Sequence, residues 1–156
     1  MSSKLVDRPS RRFARNKSAS VKTRVLDSWA ILEWLNGRTR AGNTVAALLA
    51  GAEAGEARLL MSAINVGEIY YFLRKQASKS LSESWRETSR TLPVTIEVPT
   101  MNDIWAAALL KGDHPVSYAD AFAAALAKKH NCPLLTGDPE LRSIKHLELD
   151  WIGPRM

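Results

Sequence analysis

Ser117–His130 reads SYADAFAAALAKKH. Asp120 is followed by seven residues without a polar side chain, Ala121 to Ala127, so a helix through them is apolar on nearly every side and is expected to be buried. Local chemistry offers one account of the acid at its first turn. Ser117 three residues before Asp120 matches a capping box, with a carboxylate near the positive end of the helix dipole, a device that contributes roughly 1 kcal/mol. A role beyond capping needs further carboxylates at places where the fold can gather them.

Outward from this helix the chain alternates strands and helices. TRVLD is read as a strand, and SWAILEWLNG as a helix that Ser28 caps and Gly37 stops. NTVAALLAGAEAGE places Val45, Leu48, Leu49 and Ala52 on one helical stripe, and ARLLMSAI is a second strand. NVGEIYYFLRKQ has Val66, Ile69, Tyr70 and Leu73 at helical spacing, and SLSESWRETSRTL is a more polar helix beginning at a Ser80 or Ser82 cap. PVTIEV is a β-branched strand, and TMNDIWAAALLKGD a helix that ends around Gly112. After the opening helix come CPLLTGD, a strand running into a turn, the short PELRSI, and LELDWI as an edge strand. Such alternation implies a mainly parallel sheet covered by helices on both faces.

The length of 156 residues suits one domain with a real core and an appended tail. No apolar run is long enough to cross a bilayer and the N-terminus lacks a secretory segment, so a soluble protein without membrane attachment is expected. Cys132 is the only cysteine, which rules out an intrachain disulfide and fits a cytoplasmic setting. His114, His130 and His146 are widely spaced, which argues against structural zinc. The net charge of +6 is unevenly placed. Residues 1 to 24 carry eight Lys and Arg against Asp7 alone, a net +7, so the remainder is at −1. Residues 1–21 are therefore read as a disordered basic extension and 22–156 as the domain. The extension suits an electrostatic arm for nucleic acid, a vector remnant, a start assigned upstream of Val21, or an Arg-rich transit peptide; the remnant and the upstream start are the readings favoured here.

In open α/β sheets the binding crevice lies beyond the carboxyl ends of the strands. Asp27 follows TRVL and Asp138 follows PLLTG; Glu68 comes from the helix after the second strand and Asp120 from the helix before CPLLTGD. Neighbouring carboxylates raise one another's pKa, so gathering four is unfavourable unless a cation reverses the balance. Magnesium prefers oxygen ligands, keeps several waters and accepts phosphate oxygens, which suggests metal-assisted attack of water on a phosphodiester. Each acid also has an ordinary role. Asp27 fits a cap for SWAILEWL, Glu68 a solvated position off the apolar stripe, and Asp138 a turn with Pro139 at the first helical position.

VLDSWAIL, SAINVGEIYY, SYADAFAAALA and LLTGDPEL occur in the order and register of the PIN domain, and the chain resembles the VapC-type toxin ribonucleases over roughly Lys22 to Ile152. The resemblance implies a three-layer α/β/α fold and a Mg2+ or Mn2+ site formed by Asp27, Glu68, Asp120 and Asp138. Asp27 and Asp120 would be central ligands, Asp138 would complete the cluster, and Glu68 would bind directly or through water. Thr136 matches a position where a hydroxyl supports the site, and Ser62 and Asn65 are further candidates for polar support. It also implies cleavage of transfer or ribosomal RNA, a VapB-type antitoxin occupying a groove by the active site, and a homodimer. Trp29, Trp34, Tyr70, Tyr71 and Phe72 suit such partner surfaces or, more often at helical spacing, the core, and are left unassigned; Arg74, Lys75, Lys79 and Arg86 suit phosphate contact, with a solvated helix face the favoured account. Two rivals remain at this point: a non-catalytic PIN-like binding module, and a phosphoacceptor receiver domain, which would want adjacent acids after the first strand where this chain has Asp27 and Ser28.

Overall fold

The structure is a computed structural model that describes residues 20–76 and 78–155. The basic extension expected over residues 1–21 therefore lies, apart from Ser20 and Val21, outside the described residues. Among the described residues five strands, β1 (Lys22–Leu26), β2 (Ala57–Ser62), β3 (Thr95–Glu97), β4 (Leu134–Thr136) and β5 (Leu149–Trp151), form one sheet in the order β3-β2-β1-β4-β5. Every neighbouring pair is parallel. The chain builds outward from β1 to β3 on one side and then returns to add β4 and β5 on the other, so the order reverses between β1 and β4. That switch point opens a crevice beyond the carboxyl ends of these two strands.

Among the described residues six α-helices cover the sheet: α1 (Ser28–Asn36), α2 (Arg40–Glu53), α3 (Ala63–Gln76), α4 (Lys79–Thr88), α5 (Met101–Asp113) and α6 (Tyr118–Lys129). Alternation along the strands separates two cores. Val25, Leu60 and Leu134 face α5 and α6, whereas Leu26, Leu59, Met61 and Leu135 face the side chains of α1 to α4. This is a three-layer α/β/α arrangement, and the sheet expected to be mainly parallel is wholly so.

Local chemistry fixes the ends that matter. Asp27, rather than Ser28, is the cap of α1, its side chain accepting a hydrogen bond from Ala30 N, and Gly37 ends the helix in the left-handed region at φ 67°. The polar helix α4 is capped by Ser78 and not by Ser80 or Ser82. The serine before the helix has the extended backbone that a cap requires, and the two candidates inside have helical geometry. Helix α6 buries every residue from Ala119 to Ala127. It lies against β1, β2, β4, α3 and α5, and side chains of methyl size let it sit close to all of them.

Candidate metal centre at the sheet switch point

Asp27 leaves β1 at the switch point and is fully buried. One of its oxygens accepts from Ala30 N at 2.9 Å and the other from the Thr136 hydroxyl at 2.6 Å. Thr136 ends β4, and its Oγ1 in turn accepts from Asp138 N at 3.0 Å, so one hydroxyl ties the first acid to the backbone of the last. Asp138 then caps the 3-10 turn Pro139–Ser143 by accepting from Glu140 N. Its carboxylate faces that of Asp120: one oxygen each from Asp120, Asp138 and Glu140 lie within 4.8 Å of one another.

Asp120 keeps its capping box. Ser117 Oγ accepts from Asp120 N at 3.0 Å and Asp120 Oδ2 accepts from Ser117 N at 3.2 Å. The acid is only 6% exposed, and its charge is felt across the crevice. Burial pushes the Asp27 carboxyl up to about 7 against the lowering effect of its hydrogen bonds, and Asp120 and Asp138 push the same way. Asp120 is raised to about 6, again by burial first, with Asp138 and Glu68 adding repulsion. Among the described residues no ion pair reaches any of these acids.

Glu68, on α3, stands at the rim outside the 4.8 Å triad. It accepts a long 3.4 Å hydrogen bond from the exposed Tyr71 hydroxyl, whose pKa is raised by desolvation and then by the charges of Glu68 and Asp120. Asn65 is fully buried beneath the site. Its Nδ2 donates to Ser28 Oγ at 3.0 Å and to Ala119 O at 3.2 Å, joining the residue after Asp27 to the residue before Asp120. Ser62 is placed otherwise. Its hydroxyl accepts from Ile64 N at the start of α3, and it makes no hydrogen bond to the acids.

Two participants escape sequence reasoning. Glu140 sits two residues past Asp138 in GDPEL, and the only available signal was a second acid within one turn of the first. Ser28 reads as a helix cap, but its hydroxyl instead engages Asn65, donating to the Asn65 backbone carbonyl at 3.3 Å. Nothing local to Ser28 distinguishes the two uses.

Residues 24–147 match the family model described as PIN domain. The chain belongs to the PIN domain family. Similar PIN structures include VapC20 of Mycobacterium tuberculosis, described as a sarcin–ricin loop cleaving toxin, at 16% identity over 81% of this chain and 98% of that one, TM-score 0.65. VapBC2 of Rickettsia felis bound to promoter DNA matches at 18% identity over 82% and 97%, TM-score 0.64. VapBC-1 of nontypeable Haemophilus influenzae matches at 22% over 83% and 97%, TM-score 0.58. A search of curated protein sequences gives no match. These likenesses establish the PIN fold, and within it the acids stand at the switch point that the topology creates. Among the described residues of this PIN domain, no helix is long and apolar enough to cross a membrane.

Proposed function

We propose that this PIN domain is a divalent-metal-dependent endoribonuclease of the VapC type, the toxin of a toxin–antitoxin pair. The observation that carries this reading is the gathering of Asp27, Asp120 and Asp138, with Glu140 and Glu68 beside them, where among the described residues no basic side chain is paired with them. Such a donor set fits a hard cation: the ligands are all oxygen, Asp120, Asp138 and Glu140 come within 4.8 Å of one another, Asp27 lies outside that triad but feels the charges of Asp120 and Asp138, and burial already holds the Asp27 and Asp120 carboxyls well above their ordinary values, a penalty that a cation removes. Asp27, Asp120 and Asp138 would hold the ion, with Glu140 as a further ligand and Glu68 acting from the rim. When bound, Mg2+ or Mn2+ supplies acidification of water and neutralisation of charge on the scissile phosphate.

The chain's own residues set the geometry for that chemistry. Thr136 Oγ1 fixes the Asp27 carboxylate by donating to it, and orients the Asp138 backbone by accepting from its N–H. The Ser117 box fixes one Asp120 oxygen, and Asn65 holds the two helix starts together. Positioning of this kind contributes without any movement during reaction.

Ribosomal or transfer RNA is the substrate we favour, a cognate VapB-type antitoxin the partner, and the cytoplasm the location. A homodimer is supported by Met101, Trp105 and Leu109, four residues apart on α5 and 59, 67 and 66% exposed. The deciding experiment incubates total cellular RNA with the parent or Asp120→Asn, in Mg2+, Mn2+ or chelator. Metal-dependent cutting that is lost in the variant is expected. Equal activity in both proteins, or activity untouched by chelator, sinks the proposal and leaves a binding module.

A further inference from the structure

Beside the acids, on the α1 and α2 side, lies a cavity of about 590 Å3 that the mechanism above does not use. Its walls include Trp29, Glu33, Arg40, Thr44, Trp151 and Arg155. Two strands of evidence tie it to the metal centre. Trp29 is two residues past Asp27, and its ring lies so close to Gly137 that a Cβ there would come within 2.3 Å of it. Trp151 pairs in register with Thr136, and Ile152 N donates to Thr136 O at 2.9 Å. The cavity wall is thus built on the two segments that present Asp27 and Asp138.

Its chemistry is specific. Two indoles supply π surface, and Arg40 and Arg155 supply positive charge, neither of them in an ion pair among the described residues. Arg142 stacks on Trp151 with its guanidinium 3.7 Å from the ring centroid and is not itself among the residues that line the cavity, so an incoming base would take the part of the indole that Arg142 leaves uncovered. A groove for an apolar peptide would show aliphatic walls; here Ala41, Ile152 and Pro154 are the aliphatic members, among tryptophan, arginine and hydroxyl groups, and the one carboxylate, Glu33, is outnumbered by the two arginines. Aromatic faces interleaved with arginines are the means by which single-stranded nucleic acid is held, the bases stacking and the phosphates paired. The volume is within the range of small-ligand sites.

We infer that this cavity is a nucleotide subsite, in which an unpaired base of the RNA stacks against Trp151, with Trp29 completing the wall, while Arg40 and Arg155 contact its flanking phosphates. The inference rests on the reading of the chain as a ribonuclease and names how that site selects RNA: by an unstacked base next to the scissile phosphate. Loops and bulges satisfy that requirement and continuous duplex does not.

The test measures binding of a fluorescently labelled single-stranded RNA oligonucleotide and of an abasic ribose–phosphate oligomer of equal length, both in chelator so that no cleavage intervenes. The parent is expected to bind the base-bearing strand about tenfold or more tightly than the abasic one. Trp151→Leu should close most of that gap, and Trp151→Phe, which keeps a stacking ring, should retain it; matched thermal midpoints guard against a folding defect. Arg40→Gln and Arg155→Gln should weaken both oligomers alike and flatten the salt dependence of binding. A gap that persists undiminished in Trp151→Leu overturns the subsite, as does a parent that fails to prefer the base-bearing strand; a peptide occupant then becomes the better account. RNA cleavage by the parent, with that gap unchanged in the variant, removes the subsite and leaves the ribonuclease standing. A Trp151-dependent gap without cleavage does the reverse.

Discussion

Helices α5 and α6 begin with the same device and end in opposite situations. Thr100 and Asp103 form a complete capping box, as do Ser117 and Asp120. Asp103 accepts from Thr100 N at 2.9 Å, which together with Lys129 Nζ at 3.1 Å holds its carboxyl below the ordinary range. Asp120 accepts from Ser117 N at 3.2 Å, yet burial and the neighbouring acids raise it to about 6. Locally equivalent acids thus come to differ because one helix leaves its first turn at the surface beside a lysine and the other drives it into the switch point. The contrast teaches that a cap and a metal ligand are not competing identities for Asp120. One oxygen serves the cap, and the environment of the whole group decides what else it does.

The sharpest way to break the contrast is to neutralise each acid. Asp120→Asn should lower RNA cleavage by at least about 100-fold, on the order of the 3 kcal/mol that one electrostatic group at a reaction centre supplies. Asp103→Asn should leave cleavage within about twofold; a comparable loss there would show that the two boxes are not functionally distinct.

The pH dependence of stability tests the same difference with the opposite signs. Asp27 and Asp120 have folded values raised above the unfolded value of 3.8, so their contribution is fully present below pH 3.8 and is lost as pH rises through about 6 and 7. Asp103, lowered, contributes above the unfolded value and loses its contribution as pH falls through its lower folded value. In chelator the thermal midpoint should therefore fall between pH 5 and pH 8, by several degrees, and excess Mg2+ at pH 8 should restore it. A midpoint that rises over that interval without metal would contradict the buried-acid account.

Two smaller effects concern what holds the site together. Gly137→Ala places a Cβ 2.3 Å from the Trp29 ring and 2.6 Å from Gly153 Cα, where backbone cannot retreat, and should cost about 1–3 kcal/mol, read by denaturant unfolding. Because residue 137 lies between Thr136 and Asp138, cleavage should fall with it. Asn65→Ala leaves Ser28 Oγ and Ala119 O without their buried donor and should cost about 1–3 kcal/mol. Weaker apparent Mg2+ affinity for cleavage in this variant, measured where it remains folded, would mark Asn65 as positioning the acids; an unchanged affinity would make it a packing residue only. The smallest expected effect is the stability change of Asp103→Asn at pH 7, about 1 kcal/mol from its helix-end interactions, checked by chemical denaturation.

Much of this was legible beforehand, for identifiable reasons. The order of strands and helices follows from side-chain periodicity, which depends on neighbours one to four residues away. The buried character of α6 follows from its unbroken apolar run. Helix starts were less legible: Ser78, Ser80 and Ser82 are chemically equal as caps, and only the backbone shows which lies outside α4. In the site, Asp27, Asp120 and Asp138 were noticed because each ends or begins an element. Glu140 was not, since its approach to Asp120 depends on how the 3-10 turn folds back. Ser62 and Asn65 looked alike from sequence, but one closes a local turn and the other bridges α1 and α6 across 37 and 54 residues.

The sequence by itself determined the α/β alternation, the near-neutral domain behind a basic extension, and four acids in the order of a PIN domain. Those properties are carried by residue type and short spacing, which a linear chain expresses directly. Only the tertiary structure decided which carboxylates meet, which hydroxyl joins them, which acid is raised and which is lowered, and that two tryptophans and two arginines enclose a cavity beside them. The physical reason is that these depend on burial and on distances between segments far apart in the chain, and both are properties of the closed switch point rather than of any stretch of sequence.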